Sequence, residues 1–241
     1  MAKAKTGGKI FERFSEDQLI AMHQAGAEIL ECYRVLAKTK ANTVGELLRG
    51  QGEFIEWDHY PKGDVIDWET HSQFYYHAHP KRNRPGEHGH FHTFLRYKGM
   101  PGGAKRLKLD HPQKKNSDRI GAHLVAISMD KKGFPLWLFT VNRWVTDETW
   151  YDAGTIISFL ERFNIDHTYP SWATNRWLTA MLILYRPQIE ELIRQRDKKI
   201  AQWQKKHPTR DVFEDRELEL TSKIKISVEG QIKGLEAALG L

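Results

Sequence analysis

A single cysteine, Cys32, stands among the 241 residues, which excludes an intramolecular disulfide, a Cys-rich zinc site and a thiolate-held iron–sulfur cluster. No run of about eighteen apolar residues occurs, so no membrane-spanning helix is expected. The opening Met-Ala-Lys-Ala-Lys-Thr-Gly-Gly-Lys carries charge with no apolar stretch behind it, unlike a secretory signal. Low-complexity tracts and internal repeats are also missing. Together these absences point to a soluble, cytoplasmic protein of bacterial style.

The composition that remains, 40% apolar and 28% charged, suffices for one substantial core, or one core with a helical appendage. A formal net charge of +6 leaves room for an anionic partner. Most Lys and Arg residues are spread along the chain, which reads as solvated helix surface. The exceptions are Lys81-Arg82-Asn83-Arg84, Lys105 to Lys115, and Lys198 to Lys206. They keep an anionic small-molecule substrate in play, and nucleic acid less so. Eight tryptophans are present, and such rings fill cores or line pockets.

Periodicity predicts an α+β fold: a central antiparallel sheet of about four strands, with an N-terminal helix and a C-terminal helical region. Residues 1–10 read as a disordered lead-in. Ser15 and Gln18 form a capping box for a helix to about Lys38, and a short helix follows at Val44–Arg49. Residues 53–72 read as a loop with brief extended pieces. Strands are expected at 73–79, 88–97, 120–129 and 135–146, with a long basic loop at 98–117. Helices are expected from Asp152 to Phe163 and from Trp172 to about Lys206, with Pro187 kinking the second or opening a new segment. A last helix carries Ile224, Val228, Ile232, Leu235 and Leu239, after a capping box at Asp211 and Glu214. The division is thus a core at 11–170 and C-terminal helices at 171–241, forming a hairpin packed on the core or pairing two copies.

The chemistry concentrates between Phe74 and Arg96. Five of the twelve histidines, His77, His79, His88, His90 and His92, fall within sixteen residues, spaced two apart on either side of a turn-like loop. Residues two apart share one face of a strand, and imidazole is the commonest protein metal ligand. If the two strands pair with His79 opposite His88, then His77 faces His90 and Tyr75 faces His92. Several imidazoles could then converge on one ion. A one-residue slip would send the two sets to opposite faces. Nitrogen ligands without thiolate suit a transition metal ion, Fe, Zn, Mn, Ni or Cu, rather than Ca or Mg. An imidazole cluster hydrogen-bonded within a polar core layer, or contacting phosphate directly, would use the same residues.

Around this cluster, Glu87 is a candidate ligand, acid or base, and Tyr75 a candidate acid, base or supporting group. Gly89 suits close approach of a backbone or ligand, or a bulge. His71 is a candidate outer ligand. His123 is a second candidate outer ligand, but it shares the parity of Val125 and Ile127, and a core histidine is the favoured reading for it. Asn142 and Arg143 end an apolar strand and are candidates for holding an anionic substrate, although a salt-bridged structural arginine fits as well.

Tyr76-His-Ala-His-Pro80 together with Glu87-His-Gly-His-Phe-His92 resembles the signature of a bacterial family of unknown function, a resemblance that implies no chemistry. His77-Ala-His79 is also similar to the His-X-His of cupins. Cupins carry a Glu four or five residues further on, where this chain has Asn83 and Arg84. His90-Phe-His92 is similar to the His-hydrophobic-His motif of single-strand nucleases and relaxases, which use a divalent metal and a tyrosine nucleophile; here Tyr185 would have to supply the tyrosine. The favoured reading is a metal-dependent hydrolase or oxygenase acting on a small molecule. The alternatives are a metal-assisted single-strand nucleic-acid protein, and a non-catalytic metal sensor or partner-binding protein dimerising through its C-terminal helices.

Overall fold

Ser15 opens the first helix, α1 (Glu16–Ala37), in a computed structural model that describes residues 9–80, 84–109 and 121–241. The Ser15 side chain accepts from the Gln18 amide, and the Gln18 side chain accepts from the Ser15 amide, a reciprocal cap. Leu19, Met22, Ile29, Cys32 and Leu36 form its buried stripe. A short α2 (Thr43–Leu48) is capped by Asn42. Most of the expected lead-in, part of the expected basic loop, and Lys81, Arg82 and Asn83 lie outside the described residues.

The fold is α+β, with seven helices and six strands among the described residues, rather than about four strands. The strands β1 (Tyr60–Ile66), β2 (Ser72–His77), β3 (Gly89–Leu95), β4 (Ala122–Met129), β5 (Pro135–Val141) and β6 (Leu220–Lys225) run in sequence order, each antiparallel to the next. This single open meander is not the two-sheet arrangement of a cupin. β1 arises in the stretch expected to be a loop with brief extended pieces. Pro61, Gly63 and a positive-φ Asp64 disguise it, and they coincide with a break in its register between Tyr60 and Val65. β6 lies where the last helix was expected to begin. Its Leu-Thr-Ser-Lys-Ile-Lys segment pairs with β5 as an edge strand, where lysines protect an open edge.

Two further boundaries differ from the sequence expectation, and at Pro187 the chain opens a new helical segment, one of the two outcomes expected there. β5 stops at Val141, because Asn142 caps the short helix α3 (Arg143–Thr146). After α4 (Ala153–Phe159), the long helix divides into α5 (Trp172–Leu184) and α6 (Arg186–Lys206). Pro187 sits in the first turn of α6, where its missing N–H has no helical partner to lose. The last helix, α7 (Val228–Leu239), is capped by Ser227. It packs on α1, and β6 separates it from α6. The C-terminal region is therefore no simple hairpin.

The sheet has two unlike faces. Phe74, Tyr76, Phe91, Leu95, Val125, Ile127, Met129 and Leu138 pack with α1 and α5 in the main core, which also contains Trp177 and Tyr185. Alternation then sends Tyr75, His77, His90, His92, Ser128 and Phe139 to the opposite face. No helix among the described residues is long and apolar enough to cross a membrane.

Candidate metal centre

The β2–β3 hairpin has the register that convergence requires: His77 pairs with His90, and Tyr75 with His92. Both strands end before His79 and His88 meet. His77 and His90 approach until their Nε2 atoms are 2.7 Å apart. Each of His77, His79 and His90 offers a ring nitrogen, and all three nitrogens lie within 4.8 Å of one another. Three N ligands at about 2.0–2.1 Å from a tetrahedral ion stand roughly 3.3–3.4 Å apart. Shifts of an ångström or so would bring the triad to that spacing.

Glu87 determines which nitrogen of His90 is free. Its Oε1 lies 2.7 Å from His90 Nδ1, and its Oε2 accepts from the Ser128 hydroxyl. An ionised carboxylate can only accept, so His90 carries its proton on Nδ1 and turns the Nε2 lone pair inward. Burial pushes Glu87 above the usual carboxylate range, while the Ser128 hydrogen bond and Arg84 pull it down. Burial also drives the imidazoles toward neutrality. His77 is lowered to about 3, helped by His79, and His79 to about 4, helped by Arg84. His90 lies well below its ordinary value for the same first reason. Neutral imidazole is the form that binds metal.

His92 lies beside the triad, its ring 5.2 Å from His77 and 4.9 Å from His90. Its Nδ1 is 3.0 Å from His123 Nε2, whereas its own Nε2 is buried without a partner. The two ring nitrogens of an imidazole point in divergent directions, so Nε2 is turned away from His123. His123 corrects the sequence expectation. The register between β3 and β4 shifts by one residue after Thr93, pairing Phe94 with His123. This bulge places Leu124 and Val125 together in the core and returns His123 to the histidine face, a known use of bulges.

The remaining sequence candidates separate. His88 leaves the cluster: its Nδ1 is 2.7 Å from the Tyr76 hydroxyl, and its ring stacks on Phe54. Gly89 permits this, since a Cβ there would lie 2.6 Å from both the Tyr76 hydroxyl and the His77 carbonyl oxygen. Tyr75 stays on the histidine face, stacked on His59 at 3.6 Å and near His92. His71 lies at the far end of β2 from His77. Asn142 caps α3 and donates to the Val212 carbonyl. Arg143 is buried against Glu214 and Asp147, and neither residue lines the cleft described next. Tyr185 is buried in the core beneath the other face, away from the histidines. The relaxase-like arrangement is therefore not formed.

A cleft of about 670 Å³ opens beside the triad, with His79, Glu87 and Ser128 in its wall. Sequence reasoning passed over several of its residues. Trp57 covers His79 at a ring distance of 4.2 Å, on a backbone with positive φ whose N–H donates to the Ala78 carbonyl. Arg84 pairs with Glu219 at 2.5 Å and lies over Phe139. The basic run around Arg84 and the aromatic–acidic stretch around Trp57 were visible, but nothing local tied either to the histidines.

The chain belongs to the family described as a domain of unknown function (DUF6969), whose family model matches residues 23–226. No curated protein and no solved structure matches it.

Proposed function

We propose that the protein is a metal-dependent enzyme in which His77, His79 and His90 hold one transition metal ion at the inner end of the cleft. One observation carries this reading: three neutral imidazoles from both arms of a hairpin converge beside an open cleft, with a carboxylate orienting one of them. Three nitrogen ligands leave coordination positions open for water or substrate. A metal so bound would act as a Lewis acid or lower the pKa of its water, chemistry suited to hydrolysis or oxygen activation. Fe, Zn, Mn, Ni and Cu all accept such ligands.

In this reading Glu87 is a positioning residue, which fixes the tautomer of His90. The partnerless Nε2 of His92 makes that residue a reserve ligand. Tyr75 and His59 wall the site on the β1 side. The size of the cleft suits a small-molecule substrate.

Titration with Co(II), followed by visible absorption, tests the site directly. Ligand-field bands saturating at about one ion per chain, and lost in His77→Ala, are expected. Bands of equal intensity in the variant would remove the triad from the account.

A further inference from the structure

The cleft also carries information about its ligand. Its charged lining consists of Arg84, Lys199 and Lys223 against Glu87, Glu217 and Glu219. Each of the three carboxylates already has close partners. Glu87 is engaged by His90 and Ser128, Glu219 by Arg84, and Glu217 by Arg210 at 3.0 Å. Lys199 and Lys223 are left. Lys199 lies 5.4 Å from the centre of Trp203, and Lys223 lies 4.3 Å from that of Trp137. Neither has a carboxylate within ion-pair distance among the described residues, although Lys223 is close enough to Glu87 to pull its pKa down. The cleft therefore holds two lysines that form no ion pair among the described residues, each beside an indole ring.

The apolar part of the lining is equally specific. Trp57, Trp137, Trp203 and Phe139 all face the same space. Trp203 is fixed by donating its indole N–H to Asp215 at 2.9 Å. Trp57 stays half exposed at 54% while covering His79. Aromatic rings lining a cleft, the half-exposed Trp57 above all, offer contact surface for a flat ring. The volume lies within the range of small-molecule sites.

We propose that the cleft binds a small anion built on a flat aromatic or heteroaromatic ring, its ring against the tryptophans and its anionic group, carboxylate or phosphate, answered by Lys199 and Lys223. The proposal deepens the metal-enzyme reading and rests on it only for where the reacting end lies, toward His79.

Isothermal titration of the full chain with phenyl phosphate and with benzoate tests it, with inorganic phosphate and phenol as the separate halves. At least one ring anion should bind about tenfold or more tightly than either of its halves. The Lys199→Gln/Lys223→Gln double variant should lose about tenfold or more of that affinity, while its metal content equals that of the wild type. Preference between the two ring anions identifies the anionic group. Failure of both to bind, binding of a half as tight as the whole, or a double variant with wild-type affinity would overturn the proposal. If the wild type carries no metal but binds a ring anion through these lysines, the metal reading fails and this one stands. If it carries metal but binds no ring anion, the metal reading stands and this one fails.

Discussion

The Nε2 atoms of His77 and His90 face each other at 2.7 Å across the β2–β3 hairpin. Glu87 fixes the proton of His90 on the far side of the ring, so the short contact needs a proton on His77; a metal ion that displaced it would spread the two nitrogens to roughly 3.3–3.4 Å. Glu87→Gln keeps the shape of this arrangement and removes its charge. Metal affinity is expected to fall about 10- to 100-fold with little change in melting temperature. A competition titration against a chelator would measure it, and unchanged affinity would show that Glu87 does not support His90.

Gly89→Ala places a methyl group 2.6 Å from the His77 carbonyl oxygen and the Tyr76 hydroxyl. Overpacking of this kind destabilises by about 1–3 kcal/mol. Adding Tyr76→Phe should not restore stability, because the backbone carbonyl remains. Chemical denaturation of the single and double variants would show it, and full rescue would place the clash on the phenol alone.

Asn142→Ala removes a helix cap and a buried bond to Val212. A loss of about 1–2 kcal/mol is expected, with bound metal unchanged. Loss of metal at full stability would return Asn142 to the site.

Glu148, whose Oε2 accepts from the His123 amide, is pushed up to about 7 by burial despite the pull of Arg196. A carboxyl raised on folding causes no penalty where it is protonated in both states. It destabilises the fold increasingly as pH rises from the unfolded value through the folded one. Glu148→Gln should match the wild type near pH 4 and exceed it at pH 8 by on the order of 1–3 kcal/mol. The buried imidazoles act in the opposite sense, losing stability as pH falls below their unfolded value. The difference between variant and wild type at each pH is therefore the quantity to measure, by urea denaturation. A difference that does not vary with pH would contradict the assignment.

Much of this was legible from spacing. The alternation of His77, His79, His90 and His92 placed them on shared faces, and Ser15 with Gln18 marked the start of α1. What spacing could not reveal was each place where the chain departs from simple alternation. The bulge at Leu124 and Val125 reversed the side to which His123 points. The chain between Gly86 and Gly89 turned His88 away to Tyr76. Asn142 ended β5 by capping a helix, which took Arg143 out of reach of the cleft. The extent of β1, and β6 altogether, were missed because Pro61 and Gly63 broke one pattern and a helical-looking stripe overran the other. Arg84, Trp57, Lys199 and Lys223 are distant in sequence, and only the folded sheet brings them together.

Elemental analysis of untagged full-length protein, purified without chelators, is the most direct test of the central claim. About one transition metal ion per chain is expected in the wild type, and little or none in a folded His77→Ala/His90→Ala variant. A wild type that is folded yet metal-free after exposure to each candidate ion, or a variant with undiminished metal content, would contradict it.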